Sequence, residues 1–287
     1  MEILVTGGVG FVGTNLIKRL VKEGHRVLAI DDLSIGTLDS KVDGCEYLIC
    51  DVNYIHNALR DYEVDRKFDI CFHLAALSRI QPSFKDPITT FDANTLGCIS
   101  VAEWARINRV KVIYSGSSSR WHDPFKSPYA CFKHMGEEIF KLYKKVYELD
   151  AEIVRFYNVY GPGEIVDGDW AAVVGLWRRQ VRDGQPITIV GDGEQRRDFT
   201  HIEDIVDGLV KIAFSQEKAE DAWELGTGTN YSINEVYQMF KDRFGVEKIH
   251  LQDQRGNYRA TIRENNSALE KLGWAPKDRL RDYIKGL

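Results

Sequence analysis

Residues 3–13 read ILVTGGVGFVG, setting Gly7, Gly10 and Gly13 in a G-x-x-G-x-x-G turn between a short apolar run and an amphipathic segment. No other stretch restricts the fold so tightly. Glycine is needed where the backbone bends sharply, where it approaches a pyrophosphate, and where a helix lies close on a strand. The segment that follows carries Phe11, Val12, Leu16, Ile17, Leu20 and Val21 on one face. Its N-terminus would offer free N–H groups and a positive dipole end to the phosphates. A tight strand–helix turn uses glycines with no ligand present, so the next strands decide. After residues 26–30 comes Asp31, about 20 residues beyond the glycines, where a carboxylate takes adenosine ribose hydroxyls and disfavours a 2′-phosphate. After residues 47–50 comes Asp51, at another strand end. Together these predict dinucleotide binding, with NAD preferred over NADP.

Strand and helix signals then alternate. Strands are predicted at 2–6, 26–31, 46–50, 68–74, 110–116 and 151–157, and helices at 11–23, 53–62, 91–108 and 128–149. That order implies an α/β fold, a Rossmann-type doubly wound parallel sheet with ligands outside the carboxyl ends of its strands. Beyond residue 160 the pattern loosens: helices at 170–183 and 202–214, with further short elements at 222–226, 232–244, 248–251 and 267–273. The division expected is 1–160 for the NAD-binding part, with strand and helix contributions from later segments, and 161–287 for a smaller lobe closing over the ligand edge.

The net charge of −5 gives no support for nucleic-acid or anionic-membrane binding. No apolar run is long enough to span a bilayer, and the chain enters its first strand without a basic and apolar leader. Five scattered cysteines without C-x-x-C suit a reducing cytosol, and the histidines show no metal-ligand spacing, so no metal is expected.

Ser127–Pro128–Tyr129 opens a helix, and Lys133 falls one turn after Tyr129 on the same face. A phenol must drop from about 10 to about 7, roughly 4 kcal/mol, to act as a base near neutrality. A lysine ammonium and a nicotinamide cation can supply that by Coulomb attraction in a dry cleft. Alone, Y-x-x-x-K describes any exposed tyrosine beside a solvated lysine; after a dinucleotide turn and five strand–helix units it becomes a catalytic pair. The strand at 110–114 ends in Ser115–Gly116–Ser117–Ser118–Ser119. Serines there could form a turn, or a hydroxyl could relay a proton between the tyrosine and a substrate alcohol.

These motifs, with DDLS at 31–34, HLAA at 73–76, NTLG at 94–97, SPYACFK, RFYNVYGP at 155–162, GDGEQRRDF at 191–199 and LGWAP at 272–276, resemble the extended short-chain dehydrogenase/reductase family over nearly the whole length. Within it, the chain is similar to the NAD-dependent nucleotide-sugar epimerases and dehydratases, of the UDP-glucose 4-epimerase type. The resemblance implies that Phe11, Val12, Asp31, Asp32, Asp51, Val52, Leu74, Ala75, Ala76 and Asn94 line the cofactor, with Tyr157 near the nicotinamide. It implies a triad of Ser117, Tyr129 and Lys133. It also puts Asn158, Arg197 and Arg255 on the nucleotide sugar, both arginines on its diphosphate, where a planar guanidinium pairs bidentately with phosphate oxygens. Ile262 would occupy a position where a bulky aromatic in some epimerases blocks N-acetylated sugars. Pairing through the helices at 91–107 and 129–147 would give a homodimer, although their apolar stripes could equally be intramolecular.

The 4,6-dehydratases carry Asp-Glu directly after the catalytic Thr or Ser; here those positions are Ser118 and Ser119. A 4-epimerase needs nothing beyond the triad, because the hydride taken from carbon 4 is returned to the other face of the keto-sugar. That reading is expected, on a UDP-hexose or UDP-N-acetylhexosamine. The rivals are a dehydratase or reductase of the same family and a silent NAD-binding regulator. Arg120–Trp121–His122 replaces the family's usual V-Y-G, and the segment to Tyr129 is short, so part of a loop that normally touches the sugar is missing.

Overall fold

A computed structural model describes residues 1–61 and 66–287. The first part supplies β1 (Glu2–Thr6), α1 (Phe11–Lys22), β2 (Arg26–Asp31), β3 (Cys45–Ile49), α2 (Ile55–Asp61) and β4 (Ile70–His73). Next come α3 (Ile80–Lys85), α4 (Pro87–Phe91), α5 (Gly97–Asn108), β5 (Lys111–Ser117), α6 (Pro128–Tyr147) and β6 (Ala151–Phe156). The last third holds β7 (Val159–Tyr160), α7 (Val173–Arg182), β8 (Ile187–Val190), β9 (Arg196–Asp198), β10 (Thr200–His201) and α8 (Ile202–Phe214). It ends with β11 (Trp223–Leu225), β12 (Asn230–Ser232), α9 (Ile233–Phe244), β13 (Lys248–Leu251), α10 (Ser267–Leu272) and α11 (Leu280–Gly286).

Seven strands form one parallel sheet in the order β11-β6-β5-β4-β1-β2-β3. The order reverses between β1 and β4, which opens a crevice above their carboxyl ends. Side chains alternate across the sheet. Ile3 and Val5 face a core with Leu16, Ile17 and Leu20 of α1 and Ile205 and Leu209 of α8. Leu4 faces the opposite core, shared with Val101 and Trp104 of α5 and Phe140 of α6. The seventh strand, β11, comes from beyond residue 160, and α8 packs on the same sheet, so the chain returns to the first layer after building part of the second. The smaller lobe has its own core of Trp177, Ile187, Ile189, Phe199, Phe240, Leu280 and Ile284.

The helix expected at 91–108 is composite. Asp86 caps α4 by accepting from the Thr89 N–H, Pro87 sits at its first position, and residues Asp92–Leu96 form a π-helical turn before α5. Helices α3 and α11 have too few residues to show a 3.6-residue pattern and went unpredicted. Tyr62, the last residue of the helix expected at 53–62, lies outside the described residues. Among the described residues no helix is long and apolar enough to cross a membrane.

Candidate active site

A cavity of about 780 Å³ runs along the carboxyl ends of the sheet and under the smaller lobe, within the size range of small-molecule sites. Its first half is walled by backbone. Gly7 has φ +72°, and a Cβ on it would sit 2.7 Å from the Ala75 nitrogen; one on Gly13 would collide with the Gly7 carbonyl oxygen. Gly10 caps α1 without any side-chain hydrogen bond, and no acidic residue occupies the first turn. The helix start is therefore left with N–H donors facing the cavity, alongside Phe11 and Val12. Asp31 is fixed by the Val9 and Leu33 N–H groups at 3.1 and 2.9 Å, and burial raises its carboxyl above the ordinary value. Asp32, Asp51, Val52, Leu74, Ala75 and Ala76 complete this wall. The Thr6 hydroxyl pins Ala75 by accepting from its N–H. This cradle fits a dinucleotide: donors for its pyrophosphate, no room for side chains at the turn, and a carboxylate at the far end.

Asn94 is placed otherwise than expected. It is buried in the π-helical turn, its oxygen accepting from the Leu77 N–H at 2.8 Å and its amide donating to the Leu77 carbonyl at 2.9 Å. It holds the segment after HLAA in place instead of lining the cavity. Tyr157 also misses the wall. Phe156 and Asn158 line the cavity, and strand-like alternation turns Tyr157 away, where its hydroxyl donates to Glu224 at 2.8 Å.

The middle of the cavity joins β5 to α6. Ser127 caps α6 by accepting from the Ala130 N–H, which sets Tyr129 in the first turn. The Tyr129 hydroxyl donates to Ser117 Oγ at 3.2 Å, and Ser117 Oγ also accepts from the Ser119 N–H at 3.1 Å. Lys133 is buried, and its ammonium donates to the Ser115 carbonyl at 2.7 Å; burial pulls its pKa down to about 8. The spacing predicts that the Lys133 charge lowers the Tyr129 pKa. In the structure burial raises Tyr129 above its ordinary value, opposed by the Ser117 hydrogen bond and by the positive charge of Arg79. Lys133 is turned to Ser115; the cation acting on the phenol is Arg79.

The second half is walled by side chains. Asn158 donates to the Asp198 carbonyl at 3.0 Å and reaches Thr261 Oγ1 at 3.4 Å. Arg197 lines the cavity, donates to the Arg196 carbonyl at 2.8 Å, and is pulled down to about 10 by burial. Arg255 does not join it. The turn at Gly256, with φ +81°, packs against Ile80, Phe84 and the Lys126 carbonyl, and Arg255 is exposed with its guanidinium over the Phe84 ring at 4.8 Å. Ile262 is likewise off the wall. Thr261 exchanges backbone bonds with Arg196 and Asp198, so its side chain faces the cavity and the next residue faces away.

The sequence model of the NAD dependent epimerase/dehydratase family matches residues 3–226. The chain belongs to that family. The UDP-glucose 4-epimerase of Mycolicibacterium smegmatis is 31% identical, covering 99% of this chain and 96% of its own length. The crystal structure of a Thermotoga maritima UDP-glucose 4-epimerase with UDP-glucose is 26% identical at a TM-score of 0.91, covering 99% of this chain and 96% of that one. A Thermus thermophilus UDP-glucose 4-epimerase solved with NAD is 25% identical at 0.89, covering 99% and 97%. NAD is therefore the cofactor, and NAD-dependent epimerase the enzyme class.

Sequence reasoning missed several cavity residues of this family member: Arg79, Glu164, Tyr258 and Thr261. Arg79 precedes the unpredicted α3. It donates to the Trp170 carbonyl at 2.8 Å and the Ser78 carbonyl at 3.1 Å, without a carboxylate partner among the described residues. Tyr258 carried one signal, a large aromatic inside the polar run QDQRGNYR. The replacement Arg120–Trp121–His122 is built into the fold. Trp121 donates to Glu224 at 2.8 Å and lies 5.1 Å from the Arg155 guanidinium; Arg155, fully buried, bonds Glu137 at 2.8 Å and Asp221 at 2.7 Å. His122 stacks on Tyr258.

Proposed function

We propose that the chain is a nucleotide-sugar 4-epimerase acting on a UDP-hexose or UDP-N-acetylhexosamine. The observation that carries this reading is the Tyr129–Ser117 hydrogen bond of 3.2 Å at the end of β5, followed by Ser118 and Ser119 where a dehydratase has acids. Tyr129 takes the proton of the sugar 4-hydroxyl, directly or through Ser117, and gives it back to the same oxygen once the keto-sugar has turned over. When bound, NAD supplies the hydride acceptor and donor. Lys133 holds the cofactor ribose, and Arg79 supplies the positive charge that favours the phenolate. Arg197, a half-buried guanidinium facing the cavity without a carboxylate partner among the described residues, takes the diphosphate. Thr261, the small residue that this segment turns to the cavity, leaves space for a 2-N-acetyl group, which supports the wider substrate range.

Turnover followed both by product sugar and by absorbance of reduced cofactor tests this. An epimerase converts sugar with no steady accumulation of NADH; stoichiometric NADH release rejects the reading in favour of a net oxidoreductase. We further propose a homodimer through α5 and α6, on which Ile99, Ile107, Leu142 and Val146 are exposed apolar residues, checked by sedimentation equilibrium. A reducing, cytosolic setting is proposed from five unpaired cysteines.

A further inference from the structure

The short segment between Ser119 and Tyr129 leaves open what covers the sugar on that side. The structure fills the place with an aromatic pair from two distant parts of the chain. His122 and Tyr258 stack face to face, ring centroids 4.0 Å apart and planes 12° from parallel. Burial, with the Arg197 and Lys126 charges, holds His122 below its ordinary pKa, so a neutral imidazole lies on the phenol. Tyr258 is only 6% exposed, and its buried hydroxyl lies near the Ser119 and Ser127 hydroxyls without a well-formed hydrogen bond to either. Ser119 Oγ is in the same condition, 5% exposed and unpartnered. Both residues line the cavity beside Ser117 and Tyr129. A buried hydroxyl left without a good hydrogen bond is unfavourable, and a sugar offering ring and hydroxyl oxygens would relieve it. The phenol is suited to donate: burial and the neighbouring Tyr129, outweighing the Ser127 and Ser119 hydroxyls and the Arg197 charge, push it up to about 12, so it keeps its proton at neutral pH.

We propose that Tyr258, oriented by its stack on His122, is a sugar-binding residue that donates a hydrogen bond to an oxygen of the hexose, and that Ser119 Oγ contributes to the same clasp. The inference rests on the nucleotide-sugar reading above. It assigns Tyr258 to the sugar and not to the nucleotide, and it makes His122 a positioning residue.

The test compares the NAD-loaded parent with Tyr258→Phe and His122→Ala, using UDP-glucose, UDP-N-acetylglucosamine and UDP-glucuronate as substrates and UDP as inhibitor. Tyr258→Phe keeps the ring and the stack and loses only the donor. Its kcat/KM should fall roughly 3–10-fold, the effect of one neutral hydrogen bond, with UDP inhibition unchanged. His122→Ala should lower kcat/KM in the same direction, and the double variant should lose no more than the worse single one, because both act on one hydroxyl. Unchanged kcat/KM in Tyr258→Phe overturns the inference. So does an equal loss in UDP affinity, which would mark a merely structural role. A parent that turns over none of the three sugars removes the nucleotide-sugar reading and this inference with it; an active parent matched by Tyr258→Phe removes the inference alone.

Discussion

The cofactor half and the sugar half of the cavity are held by different means. Around the glycine turn the wall is backbone: the uncapped start of α1, the close approach of Gly7 to Ala75, and the strand ends that present Asp31 and Asp51. Around the proposed sugar end it is made of single side chains, Arg79, Asn158, Arg197, Tyr258 and Thr261, carried in from four separate segments. A backbone wall is fixed by local sequence and sheet order, whereas a side-chain wall can be re-aimed by one residue in a loop. The difference predicts that changes at the seam cost most, changes in support behind it next, and changes in the sugar wall least.

The largest effect belongs to Tyr129, where the halves meet. Tyr129→Phe should reduce turnover by roughly 10²–10⁴-fold, the usual loss for a positioned acid–base group, with NAD binding and melting temperature little changed. Full activity in this variant would move the chemistry elsewhere. Behind the seam, Arg155 is buried among Glu137, Asp221 and Glu224. Arg155→Ala strands two buried glutamates and should cost about 3–5 kcal/mol of stability, the usual price of breaking a buried ion pair from one side. Denaturant unfolding of the parent and variant measures it.

Lys133 sharpens the comparison through pH. Its folded pKa is about 8 against an ordinary 10.5. Between those values the unfolded chain holds a proton that the native chain does not, so stability rises with pH across that window. Below about pH 8 both states are protonated and the cost of burying the charge is fully present. The rise amounts to about 3 kcal/mol at most, and Lys133→Met should lack it. The comparison is best read from pH 8 to 10, because the raised Tyr129 pKa acts in the opposite sense at higher pH. Parallel stability curves for the two proteins over this range would mean that Lys133 is not buried as a neutral amine.

The sheet and the cofactor half were legible because periodicity of 2 and 3.6, glycines and strand-end carboxylates are local signals. The seam was legible as residues but not in its electrostatics: spacing puts Lys133 beside Tyr129 yet cannot reveal that its ammonium bonds the Ser115 carbonyl, nor that Arg79 arrives from the other side. Asn94 and Tyr157 were found as motif residues, and their side chains act one layer behind the wall. Ile262 failed by a single residue in a segment that pairs like a strand, where an offset of one exchanges inside for outside. Arg255 sits off the wall because the glycine turn beside it redirects the chain.

The two arginines that looked equivalent in sequence therefore give the finest test of the side-chain wall. Arg197 is half-buried, has no carboxylate partner among the described residues and faces the cavity, so hydrogen bonds from a guanidinium to a diphosphate would be charge-assisted and poorly screened. Such bonds contribute about 1.5–3 kcal/mol, which makes Arg197→Ala roughly 10–100-fold weaker for UDP. Arg255 is exposed and rests on Phe84. Its charge lies in solvent, where cation–π contact contributes about 0.5–1 kcal/mol to holding the turn and nothing directly to the ligand. Arg255→Ala should change UDP affinity by less than about twofold, within the range of an ordinary surface substitution. Isothermal titration of UDP into the NAD-loaded parent and both variants reads the two effects side by side. Equal losses would mean that the turn at Gly256 swings inward when the nucleotide binds and that Arg255 reaches the diphosphate after all. A loss confined to Arg197 would show that one guanidinium suffices, and that the sugar wall binds its diphosphate from the lobe side alone.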